Sequence, residues 1–148
     1  MNKEKSNKLL QVADRVLQAS PILDKKNGTI KESYNGSVAA FSVSIAMCGL
    51  RPTLTIYYHK EERKEILKII TDMLLDDSNT FFIFSNNVRD FDNIPISVER
   101  ENSAKKLLKY AFYCDNEEMK RLQREITDCG IALKQVIRTY KLVKDEKD

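Results

Sequence analysis

The sequence predicts an all-α protein, a single-domain bundle of about five to seven helices over residues 1–148 with a long helix near its C-terminal end. Only 4 glycines and 3 prolines occur, fewer than a fold of many short strands and turns would need. The composition is 42% hydrophobic and 32% charged. Apolar residues recur every three or four positions, as they do in amphipathic helices. A chain of 148 residues can bury roughly two-thirds of its unfolded surface, so it needs no metal or disulfide to fold.

The first two helices are predicted over about Ser6–Ala19 and Thr29–Cys48. The first ends before Pro21, because the residue preceding a proline avoids the helical conformation. The second carries small residues that would let a neighbouring helix approach closely, and its apolar stripe includes Phe41. Cys48 stands in an apolar run, which predicts a buried thiol.

A sharp corner is predicted after the second helix. Gly49 supplies the backbone conformation that ends it, and Pro52 falls in the first turn of a third helix that continues to Tyr58. We expect Phe41 and Leu54 to be buried on either side of this corner. A fourth helix is predicted over about Lys60–Asp77.

Residues 78–96 lack helical periodicity and are predicted to form an irregular loop. The apolar segment Phe81–Phe84 lies within it and could form a short strand, although a loop held down by its aromatic side chains is the favoured interpretation. A fifth helix is predicted over about Ser97–Cys114.

The last helix is predicted to be the longest. Asp115 and Glu118 form a capping-box pattern at its start, and an apolar repeat continues to about Val143. Gly130 lies inside this helix, where close approach of a neighbouring backbone would explain a glycine. Residues 144–148 are charged and are predicted to form a frayed tail.

The residues offer little for catalysis or metal binding. His59 is the only histidine, and no common catalytic or phosphate-loop motif occurs. The cysteines number three and lack a CxxC spacing. Asp72, Asp76 and Asp77 are expected to form a solvated turn. We therefore expect no enzymatic activity, cofactor, metal or small-molecule substrate. The sequence also lacks a signal-peptide core and a membrane-spanning apolar run, which predicts a soluble cytoplasmic protein.

Basic residues give the main indication of a partner. From Ile131 to Lys144 the chain has four basic residues and no acid, and a helical wheel places most of them beside two further cations upstream. Such a stripe can follow a nucleic-acid backbone without reading its sequence, although a solvated helix face has the same pattern. The candidate RNA-backbone contacts are Lys120, Arg124, Lys134, Arg138, Lys141 and Arg51, the last at a corner expected to be exposed.

A second, weaker basic cluster lies near the third helix and is diluted by glutamates. It comprises Lys60, Arg63 and Lys64. Tyr57 and Tyr58 could stack on a base, but tyrosines at helical spacing usually belong to a core.

Three blocks of sequence resemble the small helical subunit of the Cmr complex, the type III-B CRISPR RNA-guided effector. The first comprises Tyr34-Asn35-Gly36, Gly49-Leu50-Arg51-Pro52-Thr53-Leu54 and Tyr57; the second is Leu107-Leu108-Lys109-Tyr110-Ala111; the third is Ile131–Leu142. They appear in the family's order and together cover about half of the chain.

The resemblance implies an all-α, non-catalytic subunit that acts in antiviral defence. It would stack with copies of itself and with other effector subunits, and would help to hold the guide and target RNA. The alternative is a helical protein–protein adaptor or oligomerisation module without a nucleic-acid role, which would dock through the long last helix and Phe81–Phe84.

Overall fold

The computed structural model describes residues 1–84 and 100–145, and within these ranges it contains six helices and three short strands. The all-α fold class is confirmed. The helices are α1 (Lys3–Gln18), α2 (Glu32–Cys48), α3 (Leu50–Tyr58), α4 (Glu61–Leu75), α5 (Arg100–Tyr113) and α6 (Asn116–Ile137); the strands are β1 (Leu23–Asp24), β2 (Thr29–Lys31) and β3 (Lys141–Val143). None of the helices in these ranges has the length and apolar character needed to cross a lipid bilayer.

The small sheet was not predicted. Strand β2 pairs antiparallel with β1 and parallel with β3, so that Ile30 lies between Leu23 and Leu142. Gly28 has a φ of 65° in the turn before β2, a conformation that favours glycine. The prediction that α2 begins at Thr29 was therefore wrong, because residues 29–31 are paired in the sheet.

The predicted end of the last helix was also wrong. Helix α6 ends at Ile137 rather than near Val143. The Thr139 hydroxyl donates a hydrogen bond to the carbonyl of Val136 at 2.7 Å, and the Tyr140 hydroxyl donates to Asp14 Oδ1 at 2.7 Å. These contacts turn the chain back towards α1, and the next residues join β2 as strand β3.

Helix α6 occupies the centre of the bundle, where it packs against α1, α2 and α4. Gly130 is buried, and a Cβ atom at this position would lie 3.6 Å from Phe41 Cδ2 and 3.7 Å from Ser42 Oγ. The predicted close approach of a neighbouring backbone at Gly130 was wrong, because the nearest described atoms belong to side chains of α2 and lie at ordinary van der Waals distances. Phe41 and Leu54 are fully buried, as predicted.

The backbone of the corner between α2 and α3 follows the prediction. Gly49 has a φ of 90° at the end of α2, and Pro52 lies in the first turn of α3. Cys48, however, is exposed, so its predicted burial was wrong. The other two cysteines, Cys114 and Cys129, are buried, and burial raises the pKa of both thiols.

The aromatic segment after α4 packs as a loop. Phe82 is buried, and its ring makes edge-to-face contacts with Phe84 and Tyr110, with centroids 4.9 and 6.4 Å away. The predicted loop is confirmed over residues 78–84. Its remainder and the predicted start of the fifth helix at Ser97 lie outside the described residues, as do residues 146–148 of the predicted tail.

A buried ion cluster joins α1 to α6. Lys5 Nζ lies 2.7 Å from Glu125 Oε1 and 2.8 Å from Asp128 Oδ2, and all three side chains are at most 15% exposed. Burial alone would lower the pKa of Lys5, but hydrogen bonds to Asp128 and Glu125 outweigh it, and the pKa lies above its ordinary value of 10.5. The contribution of this raised pKa to stability is therefore complete below pH 10.5 and is lost only as the pH rises further.

We predict that Lys5→Met lowers the free energy of unfolding by about 3 kcal/mol at pH 7, because it leaves two buried carboxylates without their cation. Urea denaturation at pH 7 measures this loss. The control is Lys8→Met in the same helix, for which we expect a change within about 0.5 kcal/mol. A loss in Lys8→Met as large as that in Lys5→Met would contradict the role of the buried ion cluster.

Candidate nucleic-acid interface

The N-terminal half of α6 presents two cations at the surface. Lys120 and Arg124 are exposed, four residues apart, and they line a shallow groove of about 270 Å³ together with Gln123, Thr127 and Asp128. The spacing of four residues places both side chains on one side of the helix. In the described part of the chain, neither side chain has a hydrogen-bond or ion-pair partner.

Two charged residues near this groove, Asp128 and Arg121, make their contacts within the protein. Asp128 is the only acid among the described residues that line the groove, and its carboxylate is paired with Lys5. Arg121, by contrast, is held within the protein: its guanidinium donates to the carbonyl of Ile83 at 2.6 Å and lies 4.2 Å from the centroid of the Phe82 ring. The charges available to an external anion are therefore those of Lys120 and Arg124.

The C-terminal end of α6 continues the same face. Arg138 is the exposed C-cap residue, and Lys134 is a half-buried residue of the last turn. At 100° per residue, all four side chains lie within about 80° of arc around the helix axis: Lys120, Arg124, Lys134 and Arg138. They extend over about 27 Å at 1.5 Å per residue. We call these four residues the α6 cationic face. Ile131, which is 38% exposed, lies on this face between its two halves.

Lys141 does not belong to this face as predicted. It is the first residue of β3, where it pairs with Thr29 across the sheet, and its exposed side chain is not carried by α6. The helical-wheel argument that placed Lys141 beside Lys134 and Arg138 was therefore wrong, because the helix ends four residues earlier.

Arg51 has a different environment from the one predicted. It is half-buried rather than at an exposed corner, and its guanidinium caps the C-terminal end of α5. Arg51 Nε donates to the carbonyl of Ala111 at 2.7 Å, and a terminal nitrogen donates to the carbonyl of Cys114 at 2.9 Å. A cation is favoured there because the helix dipole is negative at this end and the last carbonyls need donors. The contacts give Arg51 a structural role in joining α3 to α5.

Sequence reasoning missed a second basic region, on α5. Lys105, Lys109 and Phe112 are spaced by four and three residues, and together with Tyr58 and His59 of α3 they line a groove of about 400 Å³. The signal in the sequence was the spacing of Lys105 and Lys109, which places both lysines on one side of the helix. The predicted surface position of His59 is confirmed, and Tyr57 is buried as expected of a core tyrosine.

No group of three or more histidine, cysteine, aspartate or glutamate side chains among the described residues is arranged to hold a metal ion. Comparison with known proteins adds nothing to this picture: no family model, no curated protein and no solved structure matches the chain.

We predict that Arg51→Met destabilises the fold by about 2 kcal/mol, because it removes two charge-assisted hydrogen bonds from half-buried helix-end carbonyls. Thermal denaturation should show a clear fall in melting temperature. Arg124→Met removes an equally charged side chain that lacks internal partners, and it should leave the melting temperature nearly unchanged. Equal stability of the two variants would remove the structural role of Arg51.

Proposed function

We propose that this protein is a non-catalytic small subunit of a type III-B CRISPR RNA-guided effector complex, in which the α6 cationic face contacts the phosphate backbone of the guide–target RNA. The observation that carries the RNA contact is the set of four cations along one exposed side of α6, none of which has an ion-pair partner in the described part of the chain. The assignment to the complex depends on the resemblance of the three sequence blocks.

The resembling blocks fall at ordered positions of the fold. Tyr34-Asn35-Gly36 lies in the first turns of α2, Gly49–Leu54 forms the corner into α3, and Leu107–Ala111 belongs to α5. The third block, Ile131–Leu142, departs from the expected helix because its last residues lie in β3. The α2–α3 corner and α5 are joined by Arg51, so two of the blocks meet in space.

Phosphate contacts suit the geometry of the α6 cationic face. Long cationic side chains over about 27 Å can reach successive phosphates without any contact to base edges. Binding of this kind depends strongly on salt, because each neutralised phosphate releases counterions. The short chain would bind RNA weakly by itself, and several copies along one duplex would raise the overall affinity through their effective concentration.

We predict that Lys120→Glu/Arg124→Glu and Lys134→Glu/Arg138→Glu each weaken target-RNA binding by the assembled complex. Each lost phosphate contact should also lower the slope of log K against log salt by roughly 0.7 to 0.9. Filter binding at salt concentrations from about 50 to about 300 mM, where the affinity changes steeply, measures both quantities. Lys141→Glu tests the remaining sequence-predicted cation separately.

The matched control is Lys25→Glu/Lys26→Glu, which makes the same change of charge in the exposed turn between β1 and β2. If this control weakens binding as much as the α6 variants, the effect comes from net charge alone. If the α6 variants keep both the affinity and the salt slope, the α6 cationic face is only a solvated surface and the proposed RNA contact fails.

The alternative function, a protein–protein adaptor, is favoured by the outer side of α2. After Glu32 this helix contains no charged residue, in a chain that is 32% charged. Gly36, Ala40, Val43 and Met47 are exposed at intervals of four, three and four residues, with Val43 56% and Met47 80% exposed. We call these four residues the α2 outer stripe. This spacing is that of a helix seam, and in the effector complex it would contact a neighbouring subunit.

We predict that Val43→Asp/Met47→Asp lowers incorporation of the protein into the complex at least tenfold, because the two carboxylates would have to be buried in an apolar contact. Affinity capture of the tagged protein from the host, followed by identification of bound proteins and RNA, measures incorporation. Ile56→Asp is the control, since Ile56 is 46% exposed and lies in α3, outside the α2 outer stripe and the segment Phe81–Phe84. Capture of proteins but no RNA, with other effector subunits absent, would favour the adaptor function instead.

A further inference from the structure

The groove between α3 and α5 combines aromatic and cationic side chains. Its volume of about 400 Å³ lies in the range of small-molecule sites. Lys105, Lys109 and Phe112 line it from α5, and Tyr58 and His59 from the end of α3. The Arg51 hydrogen bonds hold the start of α3 against the end of α5, so the two walls of the groove are fixed relative to each other.

Phe112 is the reason to treat the groove as a binding surface. Its side chain is 40% exposed and follows Lys105 and Lys109 along the helix. The inner face of this helix already contributes buried Tyr110 and Ala111 to the core. Tyr58, on the other wall, is only partly buried and lies beneath Lys64, whose Nζ is 4.5 Å from the ring centroid. The groove therefore offers aromatic surface next to positive charge.

The charges around the groove favour an anion on one side only. Among the residues that the structure describes, those that line the groove include no acid. Lys64 is partly compensated by Glu61 at 3.6 Å, and His59 stands at the C-terminal end of α3, where the helix dipole is negative. On the α5 wall, Lys105 and Lys109 have no ion-pair partner among the described residues, and both precede the last turn of the helix. An anionic group is therefore expected beside the two lysines, and an uncharged ring beside Tyr58 and Phe112.

We propose that this groove binds an unpaired nucleotide of single-stranded nucleic acid, with its base against Phe112 and its phosphate beside Lys105 and Lys109. A lysine pair and an accessible aromatic ring are the two components of sequence-tolerant single-strand binding. A duplex cannot use the ring, because its bases are stacked on one another. The proposal goes beyond the α6 cationic face: it concerns a different surface and a different form of nucleic acid, and either site can exist without the other.

The test measures fluorescence anisotropy of labelled ten-nucleotide oligo-U, the corresponding oligo-dT and a blunt RNA duplex of equal length, each titrated with the full chain. Phe112→Ala should weaken binding to both single strands about tenfold, which is the contribution of one base–aromatic stack. Binding to the duplex should change less than twofold. Phe112→Trp should bind the single strands at least as tightly as the original protein, and it guards against an effect of lost packing.

Two matched controls separate this site from its surroundings. Tyr113→Ala alters the next residue, which is 47% exposed but does not line the groove, and it should leave single-strand affinity unchanged. The second control is Lys120→Glu/Arg124→Glu, which should affect the duplex more than the single strands. The site variant Lys105→Gln/Lys109→Gln should, by contrast, weaken single-strand binding and lower its salt slope.

The single strands distinguish the possible ligands: tighter binding of oligo-U than of oligo-dT supports RNA, and equal binding supports single-stranded nucleic acid in general. The proposal is overturned if the full chain fails to bind either single strand, if Phe112→Ala binds them as the original protein does, or if Phe112→Ala and Tyr113→Ala weaken them equally. Loss of duplex binding in the α6 variants with an intact single-strand response would leave this site in place.

Discussion

The contact between α2 and α6 at Gly130 determines which surfaces of the protein remain open. Phe41 is fully buried, and its ring lies at van der Waals distance, 3.6 Å, from the position that a Cβ atom would take at residue 130. Since α1, α2 and α4 cover the inner side of α6, only the opposite side of this long helix reaches solvent. The same contact turns the Phe41 side of α2 inwards and leaves the α2 outer stripe uncovered. This helix contact thus orients both surfaces that carry the proposed function.

Internal electrostatics then decides which cations on those surfaces are available. Lys5 compensates Asp128, which would otherwise neutralise the groove of Lys120 and Arg124. Arg51 and Arg121 donate to backbone carbonyls and serve the fold instead. A count of basic residues in the sequence cannot make this distinction, because the acceptors come from segments 38 to 63 residues away.

The fold class, the corner at Gly49 and the N-cap at Asp115 could be predicted because each depends on local chemistry; the Asp115 carboxylate accepts from the N–H of Glu118 at 2.8 Å. Strand β3 could not be predicted, because Thr29, which pairs with its first residue, lies more than 100 residues away in the chain. The apolar repeat of α6 also continues through Tyr140, beyond the end of the helix. The same limit explains Lys141, which shares the helical spacing but not the helix. Of the candidate site, the pairing of Lys120 with Arg124 followed from their spacing, whereas the internal role of Arg51 required the tertiary structure.

The two open surfaces differ in a way that separates their contributions in any assembly. The α6 cationic face attracts an anion through exposed charges, so its contribution weakens steeply with ionic strength. The α2 outer stripe is uncharged and would act by burying apolar area, a contribution that salt does not screen. Raised salt therefore weakens an RNA contact on this bundle more than a subunit contact, and the RNA should leave such a complex before its protein subunits separate.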